Sequence, residues 1–209
     1  MMPVRFIRVR YLSMVFTAML VLGACTVLSE GPEQQVTSLM NVAPDKALIV
    51  GRLELHPPLQ EGEQDLKTSE AREFRNVFVL YGGDQLRDFK TDRPDSFAGS
   101  FSLVLEKEFF IKVDKGRIFY ISGGMFYTAY DPPIRTESHI FSTPFRIDVK
   151  PDDQAVYIGT IQLFRDKNNK LKSISVRDDY EWAVSRFKER FGTSRTLRKA
   201  LVDAVGLFQ

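Results

Sequence analysis

Two pairs of adjacent aspartates come nearest to a catalytic or metal-binding arrangement: Asp152-Asp153 and Asp178-Asp179. Paired carboxylates can coordinate Ca²⁺, and two carboxyl groups act as acid and base in glycoside hydrolysis. Neighbouring residues of a strand point to opposite faces, however, and both pairs lie where the pattern predicts a corner or a helix start. Turn and cap roles are therefore favoured, and catalysis would need acids brought together from different parts of the fold.

The sequence contains two histidines, His56 and His139, and one cysteine, Cys25. This set excludes a zinc site of the Cys/His type and also a site of three histidines. His56 ends one predicted strand and His139 precedes another, so we interpret both as surface or packing residues. No metal site, no cofactor and no catalytic residue is predicted.

Two glycine pairs resemble fragments of nucleotide-binding motifs. Gly82-Gly83-Asp84 matches the Gly-Gly-Asp of nucleotide cyclases over three residues only, and a turn at a strand end is favoured because glycine frees φ and aspartate stabilises turns. Gly123-Gly124 lacks the lysine and the Ser/Thr of a phosphate-binding loop, so it predicts a hairpin or a bulge. No Gly-x-Ser-x-Gly segment is present to carry a serine nucleophile.

An aromatic patch precedes Pro132-Pro133 and consists of Phe119, Tyr120, Phe126, Tyr127 and Tyr130. If residues 125–134 form an exposed loop, Phe126, Tyr127 and Tyr130 could stack on sugar rings or contact a partner protein. The alternative is that these rings form the core and rim of a β-sandwich in a chain that is 12% aromatic.

Alternation of apolar and polar residues predicts the elements that would position these groups. Strands at 46–55 and 155–163 begin covered on both faces, end half exposed, and carry a central glycine, which marks a bulge or a close-packed neighbour. One face of the first carries Ile49, Gly51, Leu53 and Leu55, and one face of the second is predicted to carry Tyr157, Gly159, Ile161 and Leu163. Further strands are predicted at 76–81, 99–106, 109–114, 117–122, 145–150 and 170–177.

Short strands at this spacing predict a mainly-β fold, an antiparallel β-sandwich of the immunoglobulin-like or prealbumin-like kind, over residues 46–177. Residues 178–209 change to a helical period. Asp178 and Glu181 predict a capping box, Gly192 predicts the end of the first helix, and its apolar stripe is Tyr180, Ala183, Val184, Phe187 and Phe191. A second helix capped by Ser194 is predicted from Leu197, Leu201, Ala204, Val205 and Phe208.

The N-terminal residues have the composition of an export signal. Arg5, Arg8 and Arg10 precede an uncharged, mostly apolar run at 11–22, which has the length of a signal-peptide core and is short for a membrane span. Leu22-Gly23-Ala24-Cys25 follows and resembles the lipobox of bacterial lipoproteins. An uncleaved membrane anchor and an ordinary secretory peptide are the alternatives.

The lipobox resemblance implies a cleaved signal peptide at 1–24, an acylated Cys25 that binds the lipid bilayer, and a polar tether at 25–45. Several acyl chains anchor a protein stably where one chain binds only marginally. Because Thr26 stands where an aspartate would favour retention in the inner membrane, the resemblance implies the outer membrane, facing the periplasm.

Charge excludes one class of partner. Residues 25–209 carry 26 basic and 27 acidic side chains, a formal net charge of about −1, so the apparent basic character comes from the signal peptide. No basic stripe is present, and no nucleic acid partner is predicted.

Three segments resemble a group of uncharacterised bacterial envelope lipoproteins: residues 144–151 (PFRIDVKP), 156–161 (VYIGTI) and 176–181 (VRDDYE). The resemblance covers about the last third of the domain, implies a β-sandwich followed by a helix, and carries no activity. We therefore expect a non-enzymatic lipoprotein that binds an envelope protein or glycan. The alternatives are an enzyme acting on envelope carbohydrate or lipid through paired carboxylates, and a structural spacer.

Overall fold

The computed structural model describes residues 42–66, 74–88, 99–130 and 135–203, without the side chains of Tyr130, Arg135 and Thr143. The predicted signal peptide, Cys25 and most of the tether lie outside these residues. The strands are β1 (Lys46–His56), β2 (Val77–Gly83), β3 (Gly99–Val104), β4 (Glu108–Asp114), β5 (Arg117–Tyr130), β6 (Arg135–Val149), β7 (Ala155–Arg165), β8 (Leu171–Arg177) and β9 (Leu197–Lys199). The α-helix is α1 (Tyr180–Phe191), and a 3-10 turn spans Gly62–Gln64.

The strands form two sheets that enclose one large core. Sheet A has the order β4-β1-β7-β8, with β9 also paired to β7, and sheet B has the order β3-β2-β5-β6. The prediction of a mainly-β sandwich with a C-terminal helix is confirmed. The sandwich is not wholly antiparallel, because β1 and β9 both run parallel to β7.

Strand β1 has the faces that its sequence predicts. Ala47, Ile49, Leu53 and Leu55 face the inter-sheet core, whereas Leu48 and Val50 face outward beneath α1. The central Gly51 leaves room for Phe109, whose Cζ lies 2.6 Å from the position a Cβ would take. The prediction of a large close neighbour is therefore confirmed here.

Strand β7 departs from its predicted faces because of a bulge at Gly159, where φ is +104°. Val156 and Ile158 point into the same core as Ile161 and Leu163, and Tyr157 packs on the outer side under α1. Strict alternation had placed Tyr157 with Ile161, and that assignment is wrong because the extra residue reverses the alternation.

Helix α1 buries its predicted stripe against the outer face of sheet A, with Ala183 and Phe187 buried and Tyr180, Val184 and Phe191 partly buried. Val42, at the end of the predicted tether, joins the same cluster. Gly192 ends the helix at φ +89°. The capping box does not form: Asp178 accepts the N–H of Tyr180, and Asp179 makes no capping hydrogen bond.

The second helix was predicted wrongly at its start, because Leu197–Lys199 forms β9 alongside β7. Ala204, Val205 and Phe208 lie outside the described residues. No helix among the described residues is long and apolar enough to cross a membrane.

Strands β5 and β6 form a long hairpin where the sequence predicted two short strands and a loop. The ladder passes Gly123-Gly124 with a register shift, which confirms the bulge, and continues to Tyr130. Residues 125–130 therefore belong to a strand, so the expectation of an exposed loop beginning at Met125 is wrong. Residues 131–134 lie outside the described part of the chain.

Candidate functional site: the polar face of sheet A

The outer face of sheet A has an apolar half beneath α1 and a polar half beyond it. We call the second half the polar face; it consists of Arg52, Glu54, His56, Thr160, Gln162, Phe164, Ser175 and Arg177. Its three strands lie side by side because β7 pairs with β1 on one side and with β8 on the other. The alternation that buries Leu53 and Leu55 places Arg52, Glu54 and His56 together on the solvent side.

The Glu54 carboxylate is the centre of the polar face, and the residue is 6% exposed although it faces outward. Its Oε2 accepts hydrogen bonds from Gln162 Nε2 at 3.0 Å and from Arg177 Nη1 at 3.2 Å, and it lies 3.3 Å from His56 Nε2. Burial raises the pKa of Glu54, but the hydrogen bonds from its neighbours outweigh burial, so the pKa is below its usual value. The carboxylate is thus held ionised by its own surroundings.

Arg177 connects Glu54 to the start of α1. Its Nη2 lies 2.9 Å from Glu54 Oε1 and 2.8 Å from Asp179 Oδ2. Hydrogen bonding to Arg177 lowers the pKa of Asp179, whose Oδ2 also accepts the Thr160 hydroxyl at 2.8 Å. Two acids distant in sequence therefore share one guanidinium.

Arg52 supplies the second cation. Its Nη2 lies 3.1 Å from Glu54 Oε1, and its guanidinium lies 5.4 Å from the ring centroid of Trp182 on α1. Its Nε is buried and has no hydrogen-bond partner among the described residues. A network selected for stability alone seldom leaves such a donor unpaired.

An aromatic pair borders the network. The rings of His56 and Phe164 stack with centroids 5.1 Å apart and an interplanar angle of 22°. Both residues are half-buried, so ring surface remains open to solvent beside Gln162 and Glu54. The face therefore combines stacked rings with carboxylate, amide, hydroxyl and guanidinium groups.

The predicted aromatic residues lie on the other sheet. Phe126 is fully buried, so it is not available to a partner. Tyr127 is half-buried on the outer face of sheet B, packs on Phe74 with centroids 4.8 Å apart, and donates its hydroxyl to Met125 Sδ at 3.2 Å. Partner binding by Tyr127 and Tyr130 stays a prediction, and the Tyr130 side chain is outside the description.

The second histidine is buried. His139 is 7% exposed, and its Nε2 lies 2.7 Å from Thr128 Oγ1 and 3.2 Å from Asn169 Nδ2. A hydroxyl beside an imidazole resembles a nucleophile with its base. However, Thr128 is only 2% exposed, which keeps substrates away, and burial lowers the pKa of His139. Of the surface and packing roles predicted for His139, its burial fits the packing role.

The aspartate pairs behave largely as their sequence positions predict. Asp153 accepts the backbone N–H of Lys150 at 2.7 Å, which closes the corner before β7, and it also binds Arg198. Asp179 is the exception, because it accepts hydrogen bonds from Thr160 and Arg177 of the polar face. Sequence reasoning missed Glu54 and Arg177; the only signal was a run of polar residues, 52, 54 and 56, at the end of a strand with one apolar face.

Comparison of the chain with protein-family models, with curated proteins and with solved structures gives no match.

Proposed function

We propose that this chain is a lipid-anchored binding module of the bacterial cell envelope, which holds a glycan on the polar face and carries out no reaction. The observation that carries the proposal is the nearly buried Glu54 carboxylate on the solvent side of sheet A, ionised and fixed by neighbouring donors. Fixed polar groups bind a ligand with less loss of side-chain freedom than mobile ones.

The composition of the face favours a sugar over other partners. Arg52 and Arg177 balance Glu54 and Asp179, so a neutral partner fits the net charge. Sugars present hydroxyl groups, which both donate and accept hydrogen bonds, and C–H faces that can lie on the His56 and Phe164 rings. A protein partner usually covers a more apolar centre than this one.

A carboxylate-based hydrolase is the second candidate, because Glu54 and Asp179 approach each other through the shared Arg177. Their oxygens lie 2.9 and 2.8 Å from one nitrogen, which brings the carboxylates within reach of the roughly 5–5.5 Å spacing of retaining glycosidases. A general acid needs a raised pKa, however, and the pKa values of both groups are lowered. Binding without turnover is therefore the better proposal.

Glycan binding is tested with the acylated chain purified in detergent. The probes are purified peptidoglycan sacculi in a sedimentation assay and soluble N-acetylglucosamine oligomers in calorimetric titration. Glu54→Gln and Gln162→Ala are each expected to weaken binding about tenfold, because each removes hydrogen bonds from the network that faces the ligand. Arg146→Ala, an exposed position on β6 of the opposite sheet, should leave binding unchanged.

Thermal unfolding establishes that each variant is folded before its affinity is compared. Equal binding by the folded Glu54→Gln, Gln162→Ala and unaltered proteins would remove the polar face as the site. If the unaltered chain binds neither probe, the glycan proposal fails, and in-cell cross-linking with mass spectrometry then asks for a protein partner.

The lipid anchor has its own test. Cys25→Ala is expected to abolish labelling by radioactive palmitate, because the chain has no other thiol to carry diacylglycerol. Inhibition of the lipoprotein signal peptidase should make unprocessed precursor accumulate, and Thr26→Ala should keep the label. Equal labelling of the Cys25→Ala and unaltered chains, with no change in mass, would contradict the lipoprotein assignment.

A further inference from the structure

A groove opens at the seam of the sandwich, where edge strand β4 of sheet A approaches edge strand β3 of sheet B. Its volume is about 320 Å³. The groove shares no residue with the polar face or with Tyr127 and its neighbours Phe74 and Met125.

The walls of the groove are apolar and aromatic. Phe101 and Phe119 meet edge to face with centroids 6.1 Å apart, and Val113 and Ile118 complete the lining on the β4–β5 side. Both phenylalanines are only partly buried, so their rings contact the open space. Ring pairs of this kind provide a surface for an aromatic ring or an acyl segment.

Glycine keeps the groove open on the β2 side. A Cβ at Gly82 would lie 2.7 Å from Phe119 Cζ and 2.7 Å from the Tyr120 carbonyl oxygen. Gly82 and Gly83 therefore present backbone rather than side chains to the space, and Phe119 occupies the position that a larger residue at 82 would need.

The rim carries more positive than negative charge. Three cations, Lys46, Lys112 and Arg117, line the groove together with two acids, Asp84 and Asp114. Lys46 pairs with Asp114 and lowers its pKa by hydrogen bonding, so that acid is already neutralised. Lys112 and Arg117 are exposed, and neither has a carboxylate within ion-pair distance among the described residues, although the charge of Arg117 also helps to lower the pKa of Asp114.

From this combination we infer that the seam groove binds a small organic anion, with its apolar body against Phe101 and Phe119 and its charged head between Lys112 and Arg117. Ligand sites generally pair an apolar lining with a few polar groups that fix orientation, in volumes of roughly 300 Å³ and above. The same chemistry could come from a free fatty acid or from an anionic lipid. The inference stands independently of the glycan proposal because the two sites share no residue.

The test uses the acylated chain and the fluorescent anion anilinonaphthalene sulfonate as its probe. We expect saturable binding that weakens as salt is raised. Octanoate should displace the probe and octanol should not. Phosphatidylglycerol and phosphatidylcholine vesicles are added in parallel arms, because the acyl anchor and the probe both enter either bilayer. Displacement by octanoate with no difference between the two vesicles identifies a free acid, and greater displacement by phosphatidylglycerol identifies an anionic headgroup.

The variant Lys112→Gln/Arg117→Gln is expected to weaken probe binding about tenfold, because it removes two charge-assisted hydrogen-bond donors at exposed sites where the fold is not at risk. Lys107→Gln, also exposed, is the matched control. Unchanged affinity in the double variant, or equal displacement by octanol, overturns the inference.

Discussion

Arg165→Ala is expected to lower the free energy of unfolding by about 2–3 kcal/mol, because it removes a buried guanidinium and leaves its partly buried partner, Glu63, unpaired. The Arg165 side chain is 3% exposed. Its five N–H donors are all used: Nε donates to Pro57 O, Nη2 to Pro58 O and Glu63 Oε2, and Nη1 to Glu63 Oε1 and Asn169 Oδ1. Loss of the guanidinium would take its hydrogen bonds from two backbone carbonyls, the Asn169 amide oxygen and the Glu63 carboxylate, which would keep only the donor of Gln60 N–H.

The effect should be large because Arg165 fastens one end of the sandwich. It ties residues 57–66 to the end of β7, and its guanidinium lies 5.9 Å from the ring centroid of Phe126 in the core. Hydrogen bonding to Arg165 is also the main reason why the pKa of Glu63 lies below its usual value. The ion pair, the loop and the aromatic core should therefore weaken together.

Denaturant unfolding at neutral pH measures the loss. The stability of Arg165→Lys should lie between those of the unaltered protein and Arg165→Ala, since an ammonium group keeps the charge but cannot reproduce the planar set of donors. Arg146→Ala, exposed on β6, should change stability by no more than about 0.5 kcal/mol. If Arg165→Ala lowers the free energy of unfolding by less than about 1 kcal/mol, Arg165 does not hold residues 57–66 to the end of β7 as proposed. A double-mutant cycle with Glu63→Ala would then show no coupling between the two side chains.

The sequence predicted correctly those elements in which burial of one face sets the spacing of the apolar residues. Strand β1 buries its predicted apolar face in the core between the sheets, and helix α1 buries its predicted apolar stripe on the outer face of sheet A. Strand β7 was predicted as a strand but with wrong faces in its first half. A bulge shifts the alternation by one residue. A glycine within a strand is compatible with a bulge but does not require one, so the sequence alone does not predict which residues exchange faces.

Residues 197–199 show a second limit of local reasoning. Leu197 and Leu201 have helical spacing, but the segment is fixed as a strand by distant partners. Tyr180 donates its hydroxyl to Leu197 O, and Arg198 binds Asp153 with Nε–Oδ1 2.7 Å. Tertiary contacts of this kind override local propensity, and a single sequence does not contain them explicitly.

The same reason explains why the polar face was not predicted. Glu54 and Arg177 are 123 positions apart, and Glu63 and Arg165 are 102 apart. Each looks like an ordinary charged residue in its local context, which usually means a solvated surface. Only the pairing of β1, β7 and β8 brings the first pair together, and that topology includes a parallel contact that the alternation pattern does not indicate.

Gly124→Ala is expected to lower the free energy of unfolding by about 3 kcal/mol, at the upper end of the range for overpacked cores. The added Cβ would lie 2.0 Å from Cε1 and 2.5 Å from Cζ of Phe78, which is 1% exposed. It would also lie 2.7 Å from the Val79 carbonyl oxygen on the neighbouring strand. Backbone held in a sheet cannot move aside, so Phe78 must leave its position.

The cause can be separated from a general intolerance of alanine by a second substitution. Phe78→Ala alone should cost about 3–5 kcal/mol through the cavity that it creates. In that background only the close contact with the Val79 carbonyl oxygen remains, so Gly124→Ala should cost at least about 1 kcal/mol less than in the unaltered protein, and the two changes should be far from additive. Gly62→Ala is the control, because no heavy atom lies within 4 Å of its Cβ position. Equal losses from Gly124→Ala with and without Phe78 would show that the Phe78 ring is not what requires glycine at this position.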